Sequence, residues 1–474
     1  MRSCIVLTTV AASLYVSPAA AGPDPRGIVP VTAPPLTGRS VACDAVPNRR
    51  LTLPDLVDIA LCGNPATAVA WASVRTAAAN TGIARAATLP TVSATIGPTL
   101  SRTDGFGGQT VTIAPGQTFS SSLNSTDFGS SANLAISYLL FDFGGRAARI
   151  DAARANQRSA LATFADTAQT IALNTVTAYN NLQANRNSVV ANQASVAFAT
   201  SSRDQAAARE RAGVATPADR LQAETALAQA QLTLQQAEGA ARTAAGTLAV
   251  TVGLPPTVGL DLAPVPPLGT ADRLSRDVAT LIAEAEKLRP DLASRRAALA
   301  SAQASARAAR SDTRPSIGVS ASNGINYANS VNDRNSASAG LSLSIPIFNG
   351  WDRSYRRAAA ETEVERNVAL VEQARQQAGL DVFTNATALD TQIRVLATAR
   401  TLIASATASA NIAQGRFQAG VGTFTDLLNA QSALANARQQ LVAADFGVRN
   451  AQAQLARSVG SIGEAADDMR RIVR

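Results

Sequence analysis

The stretch Gly340-Leu341-Ser342-Leu343-Ser344-Ile345-Pro346-Ile347 decides the fold. Leu341, Leu343, Ile345 and Ile347 alternate with small or polar residues, the period of a β-strand with one apolar face. Upstream, Ile317, Val319 and Ala321 alternate with Ser316, Gly318, Ser320 and Ser322. The first half of the chain holds a second pair, Val92, Ala94 and Ile96, then Leu134, Ile136, Tyr138 and Leu140. Such strands fit a membrane barrel, apolar face to lipid and small polar face to a wet lumen. Taken one hairpin at a time, they fit a half-buried soluble hairpin as well.

The strand count separates these readings. Two hairpins give four strands, expected near 91–103, 132–142, 315–328 and 337–348. Four strands cannot close a barrel, open edges are not tolerated in lipid, and bacterial barrels begin at about eight strands. Three chains of four strands close as twelve. The stretch 103–131, rich in Gly, Ser and Thr, and its short counterpart near 329–336 read as exposed loops.

The chain is a duplicated unit. Leu89-Pro90-Thr91-Val92 recurs as Arg314-Pro315-Ser316-Ile317, and Asn64-Pro65 as Arg289-Pro290, both 225 residues on (315 − 90). Phe143-Gly144-Gly145 recurs as Phe348-Asn349-Gly350, 205 on (348 − 143). Gly213-Val214-Ala215-Thr216 recurs as Gly420-Val421-Gly422-Thr423, Asp219 as Asp426, and Val252-Gly253 as Val459-Gly460, all 207 on (426 − 219). Each copy reads helix, strand, loop, strand, very long helix, turn, helix. A linker, 254–270, joins them; its five prolines, Pro255 to Pro267, forbid helix.

From Gly145 to Arg211 there is no proline, and at about 1.5 Å per residue such a helix is roughly 100 Å long. Its equivalent runs from about Gly350 to Phe417. Leu227, Leu234, Ala241 and Leu248 repeat every seven residues, as do Leu434, Leu441, Val448 and Leu455, the seam of a left-handed coiled coil. Gly213 and Gly420 suit left-handed helix ends, Thr216 and Thr423 suit N-caps, and Pro217 suits a first helical position. The long helices therefore hairpin onto shorter partners, with both turns at the end away from the strands.

Composition narrows the function. The charge is +8, but the arginines are spread singly and Lys287 is the sole lysine, so nucleic acid is not an expected partner. The absence of histidine removes His-based catalysis and His metal sites. No cofactor or metal is expected, and no nucleophile, acid–base pair or phosphate loop marks an enzyme. Arg2, the apolar run Cys4 to Val16 and Ala19-Ala20-Ala21 read as a secretory signal peptide, 1–21. Its removal would leave Cys43 and Cys62 in an oxidising compartment, where a disulfide is expected; two free thiols are the alternative.

The chain resembles the TolC family of outer-membrane efflux proteins, in its type I secretion branch. The marks are Leu53-Pro54-Asp55-Leu56 with Ala60-Leu61-Cys62-Gly63-Asn64-Pro65, then Leu89-Pro90 and Phe141-Asp142-Phe143-Gly144-Gly145, then Arg416-Phe417-Gln418-Ala419-Gly420-Val421-Gly422-Thr423-Phe424-Thr425-Asp426-Leu427-Leu428. The resemblance implies an α+β membrane protein: a trimeric twelve-stranded outer-membrane barrel, continuous with a twelve-helix periplasmic α-barrel of coiled-coil hairpins. It implies a homotrimer in outer-membrane lipid that works with a membrane-fusion adaptor and an inner-membrane ABC transporter to export a protein toxin. The expected division is a signal peptide 1–21, a periplasmic segment 22–50, repeats 51–253 and 271–460 about the linker 254–270, and a tail 461–474. The alternatives are the outer-membrane channel of a multidrug efflux pump and, more remotely, a periplasmic coiled-coil adaptor.

The resemblance also places sites at the hairpin tips. Gly213, Val214, Thr216, Gly420, Val421, Gly422 and Thr423 would meet the adaptor. Asp219 and Asp426 would ring a periplasmic entrance, with Phe417, Arg416 and Arg211 beside them; acids in a helix first turn are also favoured by the helix dipole alone. The family pattern is broken at Phe417, where a linking tyrosine is expected, at Gly422 for an arginine, and at Asn429 for a second aspartate. The entrance lock must then differ, and Arg209, Arg211 and Arg416 are candidates for its ion pairs.

Overall fold

The structure is a computed structural model that describes residues 27–30, 49–103, 110–115, 117–120, 125–265, 268, 277–328 and 331–462. The signal peptide 1–21, Cys43 and nearly all of the tail 461–474 lie outside the described residues, as do most of the segment 22–50 and part of the linker. No helix among the described residues is long and apolar enough to cross a membrane.

The chain divides into two compact units. One comprises Met1–Val29, Thr76–Gln157 and Ala298–Val368 and carries the strands. Its four-stranded antiparallel sheet has the order β1 (Thr91–Thr103), β4 (Ser125–Phe141), β5 (Ser316–Ala328), β6 (Val331–Ser344). Register decides the faces. Val92 sits opposite Ile136, Ile136 opposite Ala321, and Val319 opposite both Tyr138 and Leu341. This face is apolar and exposed, from Val92 and Ile96 to Leu341 and Leu343. The other face is small and polar: Thr91 and Ser137 hydroxyls meet at 2.7 Å, and Ser322 and Ser338 hydroxyls at 2.9 Å. β1 and β6 are the sheet's edges.

Three local expectations change. The stretch 103–131 is not only loop: it holds a two-stranded ribbon, β2 (Thr110–Ala114) with β3 (Gln117–Ser120). β4 begins at Ser125 rather than near 132, paired to the far end of β1 through Asp127 and Phe128. β6 begins at Val331 and ends at Ser344, not 337–348, and absorbs most of the expected loop near 329–336. Its first half, Asn332 to Ser336, is polar throughout, so alternation gives no signal there; β5 recruits it by register. The alternation of Ile345 and Ile347 runs on past the last paired residue, where Pro346 has no N–H to offer.

The strand-to-helix corner also corrects the repeat. Phe143 and Gly144 both take positive φ (51° and 88°), and so do Gly350 and Trp351 (67° and 68°). The equivalent corners are therefore 207 residues apart, not the 205 of the Phe-Gly-Gly and Phe-Asn-Gly match. From these corners run α3 (Gly145–Arg211) and α7 (Asp352–Gln418), each 67 residues.

The other unit comprises Pro30–Arg75, Arg158–Ala297 and Ala369–Arg474. The single helix expected at the start of each repeat is two, α1 (Leu53–Gly63) and α2 (Pro65–Ala86), then α5 (Val278–Leu288) and α6 (Pro290–Ser311). The break falls at the residue before proline, which is pushed out of helical ψ: Asn64 has ψ 125° and Arg289 ψ 122°. The return helices are α4 (Pro217–Thr251) and α8 (Phe424–Val459). Leu56 and Ala60 of α1 pack with Ile171, Leu182 and Leu248. In the second repeat Leu281 and Ala285 of α5 pack with Leu389, Val448 and Leu455. Asn64 donates to the Thr251 carbonyl (3.0 Å), and Arg289 donates to the equivalent Ser458 carbonyl (3.3 Å) while pairing with Asp291 and Asp381. Cys62, near the end of α1, is disulfide-bonded.

Gly253 and Gly460 sit where each return helix meets its broken junction. Both have positive φ (85° and 91°); a Cβ would lie 2.4 Å from the Gly63 carbonyl oxygen at Gly253 and 2.9 Å from the Leu288 carbonyl carbon at Gly460. A left-handed non-glycine residue costs about 1–3 kcal/mol before any clash. Gly253→Ala should therefore lower the melting midpoint of the detergent-solubilised protein, followed by circular dichroism, more than Gly460→Ala. Gly259→Ala, in open space, should leave it unchanged.

Candidate functional site at the hairpin tips

Each long helix ends in the same turn. Gly213 and Gly420 both have φ 76°. The Val214 N–H donates to the Arg209 carbonyl and the Val421 N–H to the Arg416 carbonyl, both at 3.0 Å, satisfying carbonyls that the helix end leaves open. Thr216 and Thr423 then cap the return helices, and each forms a reciprocal pair with the acid three residues on. The Thr216 N–H and hydroxyl reach Asp219 Oδ2 at 3.1 and 3.0 Å. Asp426 N–H donates to Thr423 Oγ1 at 3.1 Å. The Thr423 hydroxyl and N–H hold the Asp426 carboxyl below its ordinary range, with help from the nearby Arg416 charge. Within one chain, then, both aspartates serve their own helix caps.

The two turns are not equal. In the second, the Gly422 N–H also donates to the Arg416 carbonyl (3.1 Å), folding the chain back onto its helix. A Cβ on Gly422 would lie 3.0 Å from Arg416 Cβ and 3.2 Å from the Phe417 nitrogen. Any side chain at this position would press on the backbone of the helix end, which would have to yield by a few tenths of an ångström.

Phe417 is buried in a cluster with Ala206, Ala223, Phe424 and Leu427, its ring 5.5 Å from that of Phe424. Arg209 crosses from α3 to the second turn. Its guanidinium lies 4.6 Å over the Phe417 ring and donates through Nη1 to the Phe417 carbonyl at 2.6 Å. Arg209 thus holds a carbonyl and a ring rather than an expected ion-pair partner. Arg211 is exposed and donates back to the Ala207 carbonyl of its own helix. Val214 and Val421 stand exposed at the two tips.

Several of these contacts escaped sequence reading. Arg220 pairs with Glu210 across the first turn and with Glu224 one turn on. Gln431 reaches Ser202 on α3 (2.7 Å). Leu427 was accessible, because it stands one heptad before Leu434. The Arg209–Phe417 contact was not, since nothing in sequence pairs residues on different repeats. Cys62 lies away from the tips, and its expected partner Cys43 is outside the described residues.

The family model described as "Outer membrane efflux protein" matches residues 56–254 and 281–461. Protein CyaE of Bordetella pertussis is 30% identical over 433 residues, covering 88% of this chain and 86% of that one. The solvent efflux pump outer membrane protein SrpC of Pseudomonas putida is 30% identical over 253 residues, covering 52% of this chain and 53% of that one. Among solved structures, the outer-membrane channel OprN matches with a TM-score of 0.74 at 21% identity, over 86% of this chain and 90% of that one.

Truncation of the ring at the second tip should loosen it. Phe417→Ala leaves a cavity costing about 3–5 kcal/mol if it does not collapse. Amide exchange at Val421 and Gly422 should accelerate strongly, while exchange at Val214 in the other tip changes little.

Proposed function

This chain belongs to the outer membrane efflux protein family, and from that membership we propose that it is the passive trimeric outer-membrane duct of a type I secretion system. It is an outer-membrane channel protein with a periplasmic helical extension, and its family and fold are those of channels rather than enzymes. One observation carries the trimer: a four-stranded sheet with an exposed apolar face and two unpaired edges. Such a sheet is stable in hydrocarbon only when other copies complete the barrel.

Export of a protein, driven by an inner-membrane ABC transporter through a membrane-fusion adaptor, is favoured by the extent of similarity. The CyaE match spans nearly the whole chain, whereas the SrpC match spans about half. The SrpC similarity supports the second reading, the outer channel of an efflux pump. In either case the chain supplies containment and a gate, and the transporter supplies energy. The exposed tips, with Val214 and Val421 leading, are the adaptor contact. Asp219 and Asp426 line the periplasmic entrance, and the Arg209 clamp on Phe417 takes the place of the family's tyrosine link in holding it shut.

Deletion of the gene should remove one large protein from the culture medium and leave drug tolerance unchanged. Unchanged secretion with new solvent or drug sensitivity would move the chain to the efflux reading. The Cys43–Cys62 disulfide belongs to the same extracytoplasmic reading: in unreduced, denatured mature protein neither cysteine should alkylate, and both should after reduction.

A further inference from the structure

With its apolar face turned to lipid, the four-stranded sheet leaves the other face to the lumen, and register sets what that face contains. Thr91, Ser137, Ser320 and Gly340 stand at one level across the four strands. The two levels above it run in the same way from Ser93 to Ser338 and from Thr95 to Ser336. These three levels hold no charge and no ring, and nothing larger than Asn133. On the periplasmic side, Leu139, Gly318 and Ser342 continue the face without a charge. On the outer side the register brings in Arg334, opposite Asn326, and Asp127, opposite Ser101, one base and one acid.

The polar groups of this face are engaged with one another. The Ser342 hydroxyl donates to the Gly318 carbonyl at 3.3 Å and the Ser336 hydroxyl to the Gly324 carbonyl at 3.4 Å. Thr91 pairs with Ser137, and Ser322 with Ser338. Gly340 opens onto free space, where a Cβ would meet nothing within 4 Å, and so does Gly97 two levels beyond Ser93. The face thus presents no pocket, no stacking surface and no fixed ion at these levels.

We infer that the barrel lumen is electrostatically neutral and indifferent to the charge of what passes through it. The inference rests on the duct reading above and adds a property of the cargo. A fixed charge on the wall acts over a Debye length, about 8 Å at physiological salt, and so reaches whatever touches the lining. It would hold a stretch of one sign and repel a stretch of the other. A neutral wall does neither, which suits an unfolded polypeptide whose acidic and basic stretches pass in succession. The hydroxyls keep the wall wetted, while their bonds within it leave few donors or acceptors to detain a passing chain.

Thiol reagents of opposite charge read the potential at the wall. Gly340→Cys, in native outer membranes at low salt, is treated with cationic trimethylammonioethyl or anionic sulfonatoethyl methanethiosulfonate, with the parent protein as blank. The ratio of the two rates should equal that on free 2-mercaptoethanol, and Ser320→Cys at the same level on β5 should give the same result. Leu341→Cys, on the lipid face, should react with neither. Adding Ser342→Glu, the next residue on the lumen face, places a charge roughly 7 Å from the thiol and should shift the ratio several-fold toward the cationic reagent. A ratio displaced about tenfold in either direction without the added glutamate shows a fixed field and overturns the inference while leaving the duct reading intact. A ratio that Ser342→Glu does not move also overturns it. Reaction at Leu341→Cys with none at Gly340→Cys inverts the faces and overturns the barrel reading as well.

Discussion

Backbone hydrogen bonding at the edges of one sheet is the constraint on which the rest depends. Each N–H or C=O left unpaired in hydrocarbon costs several kcal/mol, and water is not there to relieve it. β1 and β6 each present such an edge, and they flank a sheet with an exposed apolar surface from Val92 and Ile96 to Leu341 and Leu343. No rearrangement of four strands closes a barrel around a lumen. The sheet therefore requires copies of itself to complete the barrel.

Duplication did not leave the halves identical. The broken helix junction keeps its function in both repeats, a side chain donating to the last carbonyls of the return helix, but Asn64 does so in the first and Arg289 in the second. The arginine brings two aspartates with it, since a buried cation needs paired charge where an amide does not. At the tips the first repeat fixes its turn with Pro217, while the second tucks Gly422 against Arg416 and buries Phe417 and Phe424. The second tip thus accepts the Arg209 clamp, and the first gives it.

Much was legible from residue order alone. Period-two alternation marks the faces of β1, β5 and the end of β6 from Gly340 to Ser344, because burial in lipid acts on every second side chain. Sixty-seven residues without proline mark α3, and Gly213, Thr216, Gly420 and Thr423 mark the tips, because their backbone requirements are local. Where both faces of a strand are polar, as from Asn332 to Ser336, alternation is silent and pairing decides. In the β2–β3 ribbon Val111 and Ile113 do alternate with Thr110 and Thr112, but a run of 5 residues amid Gly, Ser and Thr is too short for the period to stand out, and the helix breaks at Asn64 and Arg289 are marked only by the proline that follows each.

The sequence by itself determined the repeat, the four strands of the main sheet, the coiled-coil helices and the caps, all of which depend on neighbours along the chain or on a fixed period. Only the tertiary structure decided which residues of one repeat meet the other: Arg209 with Phe417, Asn180 with Asn450, Ser188 with Gln439. These partners are more than two hundred residues apart. Their meeting is set by the register of packed helices, to which no local preference of either residue contributes.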